Sequence, residues 1–364
     1  MTRRVCALFI AAAVMVTGAT AIAEEVAATA KKEEKVPWRG SAFIYENTFS
    51  AYSLSPSADL TYNPYYAQSF SFRPRYYPRD DLSLALRLDV EIELTTSDDT
   101  DRRHQAMLSD LLFDVGYKPA FMKIPVVDIK AAVDVRFSFP TSIESRGRSM
   151  AMGIGPGFSL RRELPLLKGK WLPSLELMYG FRFTKYFHKY ATAQVNAADT
   201  CNNPGREECQ FLYSTNEHGV ARNRSWRFGN TLEVAVKILD KLSFTADAMF
   251  FNDLLYDFPE ETISLGAGAT ETLPGSRINH KASTWFIFDL TYDVLDWLSL
   301  SVGTSTFYAQ LNPNSSYNVP FFNRYTNFYI DVTIPVDKFI SQVQTWAGKG
   351  KKSSSSTEPS VRRQ

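Results

Sequence analysis

Between Leu82 and Leu94, seven aliphatic residues recur at every second position: Leu82, Leu84, Leu86, Leu88, Val90, Ile92 and Leu94. The residues between them are Ser83, Ala85, Arg87, Asp89, Glu91 and Glu93. Only a pleated strand throws successive side chains to opposite faces, so a strict period of two predicts a strand. That strand has one uniformly apolar face and one heavily charged face. The same pattern returns along the chain. Val127, Ile129, Ala131, Val133, Val135, Phe137 and Phe139 form one apolar row, and Leu175, Leu177, Tyr179, Phe181 and Phe183 form another. Leu232, Val234, Val236 and Ile238, and finally Phe328, Ile330, Val332 and Ile334, complete the series.

Read this way, the chain predicts twelve strands, near 39–50, 66–78, 81–95, 106–118, 126–140, 149–161, 171–188, 222–238, 241–254, 281–294, 297–310 and 322–335. Their connections alternate in length. Arg79-Asp80, Leu239-Asp240 and Leu295-Asp296 are minimal turns, and the links carrying Pro119, Pro125 and Pro165 are moderate. The segments 189–221, 255–280 and 311–321 are long and rich in Asn, Gly, Pro and Ser. An even set of strands with short turns at one end and long loops at the other is the layout of an all-β, up-and-down antiparallel barrel spanning a membrane. Lipid requires an unbroken apolar band outside, while a lumen accepts charge. Pro74 and Pro156 fall inside predicted strands, where proline cannot donate to the ladder, and mark bulges or misplaced boundaries.

Composition and charge add the compartment. Hydrophobic residues make up 45% of the chain and aromatic residues 14%, spread along its length instead of gathered into runs long enough for membrane helices. Arg3 and Arg4 precede an apolar run from Val5 to Val16, followed by Ala21-Ile22-Ala23, the layout of a secretory signal peptide over residues 1–23. Removing it takes two arginines and no acid, moving the net charge from +1 to −1. No global basic field or nucleic-acid motif is present. Two cysteines then remain, Cys201 and Cys209, flanking a polar turn-rich stretch; in an exported protein this spacing reads as a disulfide closing a loop. Residues 24–38 form a charged, alanine-rich leader, 39–336 the barrel, and 337–364 a tail with a short amphipathic helix over Asp337–Trp346 before a serine-rich disordered end.

Aromatic residues gather at strand ends: Tyr76 and Tyr77, then Tyr186, Phe187 and Tyr190, with Trp171, Trp226 and Trp297 near strand starts. Amphipathic rings favour the bilayer interface, so these read as anchoring girdles. Together with the alternation and the loop parity, they make residues 39–335 resemble a bacterial outer-membrane β-barrel. The resemblance is one of architecture, shared by porins, specific channels, secretion barrels and lipid enzymes, and it implies an outer-membrane location with both termini in the periplasm. It assigns no functional residue.

The polar faces name the candidate pore lining: Arg87, Asp89, Glu91 and Glu93; Asp110 and Asp114; Asp134 and Arg136; and Arg182. Continuing round the barrel, this face carries more acids than bases, and an acidic lumen concentrates cations. The acids are expected to form a cation-attracting wall opposed by Arg87, Arg136 and Arg182. A salt-bridged plug is the competing expectation, since twelve strands lie between filled and open barrels. Gly153, Gly155 and Gly157 on one strand either open a groove or mark a bend. His104, His188, His218 and His280 fall in or beside different loops without ligand spacing, so no metal or cofactor is expected. Neither His188 nor His280 has a serine and orienting partner that would make a catalytic set, so no catalytic residue is assigned. The expected function is passive transport of small hydrophilic or cationic solutes. The alternatives are a closed barrel docking a periplasmic partner through Asp337–Gln364, or, least, an enzyme acting on lipids.

Overall fold

The computed structural model describes residues 36–51, 65–95, 104–124, 127–165, 174–192, 222–257, 261–266, 269–273, 279–311, 316–323 and 325–354. The expected signal peptide, most of the leader, Trp171, Cys201, Cys209, His218 and the last ten residues lie outside these.

Twelve wall strands run in chain order: β1 (Ala42–Ser50), β2 (Tyr66–Arg73, continued by Arg75–Arg79), β3 (Leu82–Glu93) and β4 (Leu111–Tyr117, flanked by Ala106–Leu108 and Lys123–Ile124). They continue as β5 (Ile129–Phe139), β6 (Met150–Pro165), β7 (Ser174–His188), β8 (Arg224–Leu239), β9 (Leu242–Leu255), β10 (His280–Leu295), β11 (Leu298–Ala309) and β12 (Thr326–Pro335). Every neighbouring pair is antiparallel, and β1 pairs with β12, which closes the ring. Closure leaves no open edge, so every strand finds hydrogen-bond partners on both sides without water. A separate small hairpin, Glu261–Gly266 with Ala269–Leu273, lies in the β9–β10 connection.

The faces follow from the register. Phe43 opposes Phe72, Phe70 opposes Val90, and Phe113 opposes Phe137, so the apolar rows form a continuous outer band. Phe72, Leu86, Val133, Leu232, Leu300 and Ile330 on it are exposed. The polar face is the inner one, because only there does curvature bring non-adjacent strands together. Arg182 on β7 reaches within 3.8 Å of Asp114 on β4, past two intervening strands. Tyr329 on β12 donates to Asp289 on β10 at 2.9 Å, past β11.

Both prolines have a structural account. Pro74 breaks β2 into its two segments, yet its carbonyl still accepts from the Leu86 amide at 2.9 Å. Around Pro156 the β6–β7 register passes from Gly157–Arg182 directly to Ile154–Lys185, leaving two pairs unmade. The last strand starts at Thr326, later than the predicted 322, because the preceding loop folds over the outer wall. Phe321 packs on Phe286 and Phe288, with ring centroids 4.7 and 5.7 Å away, and its carbonyl accepts from Thr306 at 2.8 Å. That strap covers Thr306 and Thr326, hydroxyl-bearing positions on a face otherwise built for lipid. A five-residue helix, α1 (Ile143–Gly147), caps the β5–β6 hairpin, and the chain leaves β12 directly into α2 (Val336–Ser354). That helix continues past the predicted end at Trp346 as far as Ser354.

Candidate pore lining

Three groups of charge line the inner face. The first joins β4, β5, β6 and β7. Arg136 grips Asp114 with two hydrogen bonds of 2.8 and 3.2 Å, and Arg182 lies 2.5 Å from Asp134. Arg182 also donates to the Gly155 carbonyl at 3.0 Å, beside the interrupted stretch of ladder at Pro156. Its guanidinium lies flat on β6 because that strand presents glycines there. A Cβ at Gly157 would stand 3.2 Å from Asp134 Oδ1 and 3.5 Å from Arg182 Cζ. The row Gly153, Gly155 and Gly157 is therefore a berth for side chains of β5 and β7. These ion pairs run sideways along the wall, Arg136 to Asp114 on the neighbouring strand and Arg182 over β6 to Asp134 on β5.

The second group sits on β2 and β3. Asp89 takes a 2.7 Å bond from Arg87 and a 2.5 Å bond from Ser71, and Arg73 donates to Ser71 at 2.8 Å. Glu91 accepts from Tyr65. Glu93 is fully buried opposite Ala67 and accepts from Thr95 at 3.0 Å. Asp110 belongs to neither group: it accepts from the Ser142 amide at 3.1 Å and from the Ser145 hydroxyl, tying α1 to the barrel rim.

The third group is an arc of acids on β8, β9, β10, β12 and β1: Glu233, Asp247, Asp289, Asp331 and Glu46. None of the five forms an ion pair among the described residues. Their contacts are to neutral donors, Thr291 and Tyr329 for Asp289, Thr333 for Asp331 and Thr48 for Glu46. Asp247 Oδ1 is buried and accepts from no donor among the described residues. Two of these acids directly face two others across a ladder, Glu233 opposite Asp247 and Asp331 opposite Glu46. Like charges directly opposed destabilise a sheet. The arc thus holds carboxylates without an ion-pair partner among the described residues, whereas Asp114 and Asp134 across the lumen are paired with arginines.

Nearer the long-loop end, Asp253 is 2% exposed and shared by Arg224 and Arg227, each with Nε 2.7 Å from it. Alternation alone would send Arg224 outward with Trp226. A bulge between them shifts the register, so Arg224 opposes Leu255 and turns to the inner face. Lys281 opposes Asp253 on β10. Replacing Asp253 with Asn is expected to lower stability by about 2–4 kcal/mol, because two arginines lose their counter-charge. The unfolding midpoint of the detergent-solubilised barrel checks this, and an unchanged midpoint defeats it.

Several inner-face residues escape a reading based on charged rows alone. Glu46 and Tyr329 follow the alternation but lie outside the rows named from the sequence; Arg73 abuts the proline break, and Arg224 depends on the bulge. Tyr186, expected in a girdle, turns inward, with Arg224 over its ring at 5.3 Å. Trp226 does face outward, stacked on Phe183 at 4.6 Å. His188 and His280 have separate partners, the Arg148 carbonyl at 2.8 Å and the Asn252 side chain at 3.2 Å.

No protein-family profile and no curated protein matches the chain. Among solved structures it is similar to an outer-membrane channel from Pseudomonas putida F1, with 12% identity over 84% of this chain and 98% of that one, and a TM-score of 0.45. The NanC porin follows, with 10% identity over 80% of this chain and 98% of that one at a TM-score of 0.41. The KdgM porin gives 8% identity over 80% of this chain and 98% of that one, with a TM-score of 0.37.

Proposed function

We propose that this protein is a passive channel of the outer membrane, conducting small hydrophilic solutes and favouring cations. One observation carries the reading: the lumen holds five carboxylates without an ion-pair partner among the described residues, two pairs of them set against each other. A barrel selected only as an anchor gains nothing from that cost, whereas a channel gains a cation-attracting surface. The short-turn end, where both β1 and β12 have their free ends, is the periplasmic side, and the long loops face outward. The residues assigned to the wall are Glu233, Asp247, Asp289, Asp331 and Glu46. Asp89, Asp114 and Asp134, with Arg87, Arg136 and Arg182, form the opposite, internally neutralised side, and Glu91 and Glu93 flank it. The lateral run of those ion pairs supports an open lumen over a salt-bridged plug. The reading assigns no catalytic residue and no cofactor.

The test is single-channel recording of the purified barrel in a planar bilayer under a KCl gradient. Discrete steps with a cation-selective reversal potential are expected. A folded, inserted and silent barrel overturns the proposal and favours a docking role. Changing Glu91 and Glu93 together to Gln is expected to move the reversal potential less than changing two acids of the arc, because Glu93 is buried and Glu91 is held by Tyr65. Equal shifts from the two pairs would remove the distinction between the two sides of the lumen.

A further inference from the structure

We infer that α2 is an interfacial helix that lies in the headgroup region of the periplasmic leaflet and binds anionic phospholipid. It leaves β12 without a linker, and the Val336 amide donates to the Ser41 carbonyl at 2.9 Å, pinning its first turn to the barrel rim. Phe339, Val343 and Trp346 follow at steps of four and three, so they form one stripe on the helix. All three are exposed, at 37, 41 and 51%. No helix of the described residues is long and apolar enough to cross a membrane.

The occupant of that stripe follows from what it adjoins. Trp297, in the two-residue turn between β10 and β11, meets Phe339 at 5.4 Å and Trp346 at 6.2 Å. From that turn the outer band rises through Tyr292, Val294 and Leu295 on β10 and Leu300 and Val302 on β11, all exposed. The stripe therefore continues the lipid-facing surface round its periplasmic edge, where two tryptophans meet, and indole favours that depth. Charge points the same way. The sequence of the helix carries Lys338, Lys349, Lys351 and Lys352 against a single acid, Asp337. An amphipathic helix with apolar rings on one side and a lysine-rich end is built to lie on an anionic bilayer surface. A protein partner binding the same stripe would have to displace it from the lipid that the barrel already occupies.

The full-length barrel, reconstituted in vesicles of phosphatidylcholine alone or mixed with phosphatidylglycerol, tests this. Brominated acyl chains are expected to quench Trp346, measured as the emission difference from Trp346→Phe. Backbone amides of Val336–Ser354 are expected to exchange more slowly in the anionic vesicles, on the order of fivefold for each lysine engaged. Phe339→Asp with Val343→Asp is expected to abolish both effects while the barrel keeps its conductance or, if silent, its resistance to unfolding in detergent. Protected amides with an unquenched Trp346 would show the stripe covered by protein and overturn the inference. Quenching equal in both vesicles would overturn the anionic-lipid assignment, and fast exchange in both would remove the surface-bound helix altogether.

Discussion

A variant carrying Glu233→Gln and Asp331→Asn is expected to become more stable and less cation-selective at once. Each change relieves one directly opposed pair of carboxylates, against Asp247 and against Glu46. Such cross-strand repulsions are worth about 0.2–1 kcal/mol each. The same carboxylates act on a passing ion through water. At about 8 Å the interaction of two unit charges in bulk water is roughly 0.5 kcal/mol, a change of about twofold in local cation concentration per acid. The same field depletes anions as much as it enriches cations, so removing two acids should lower the cation-to-anion permeability ratio about sixteenfold at low salt. In about 1 M KCl the Debye length is about 3 Å and most of that difference should vanish. Reversal potentials at both salt concentrations, with unfolding midpoints in detergent, check both halves. A loss of stability with unchanged selectivity would mean the acids serve the fold, and the proposed wall would fall with it.

The opposite behaviour is expected of the arginine side, and the contrast is built into the sequence only in part. Strand number, closure and facing were legible because lipid forces a strict period of two, and the observed β3 spans Leu82–Glu93 where alternation set 81–95. The polar row of β5 likewise gave Asp134 and Arg136 their face. Pairing was not legible, since a row lists which residues look inward without saying which neighbour each one reaches. Asp114 and Asp134 appear in the sequence as two more acids, and in the barrel each has an arginine from another strand. Arg224 shows a second limit. One bulge reverses the facing of a single residue, and nothing in Arg224-Ser225-Trp226-Arg227 announces it. The strap at Phe321 shows a third, because a loop that folds back over the outer wall follows no period at all.

The second large effect is expected at Gly303, on β11 between Asp289 and Tyr329. A Cβ there would fall well inside van der Waals contact of the Phe288 carbonyl oxygen and of the outer end of the Tyr329 ring. The ring can swing away, but the carbonyl belongs to the neighbouring strand and is fixed by the ladder. Gly303→Ala is thus an overpacking change, with an expected cost of about 1–3 kcal/mol and a displaced Tyr329. That displacement matters for conduction, since Tyr329 is only 7% exposed and its hydroxyl donates to Asp289 at 2.9 Å. Tyr329→Phe isolates this second consequence: it keeps the ring over Gly303 and removes only a bond to a carboxylate, worth about 1.5 kcal/mol. It should raise cation preference, because Asp289 loses a donor that spreads its charge, while leaving the backbone at Gly303 undisturbed. The double variant separates the two clashes. If Tyr329→Ser restores the stability of Gly303→Ala, the ring alone is the obstacle; if it does not, the Phe288 carbonyl sets the limit, which is the outcome expected from its fixed place in the β10–β11 ladder.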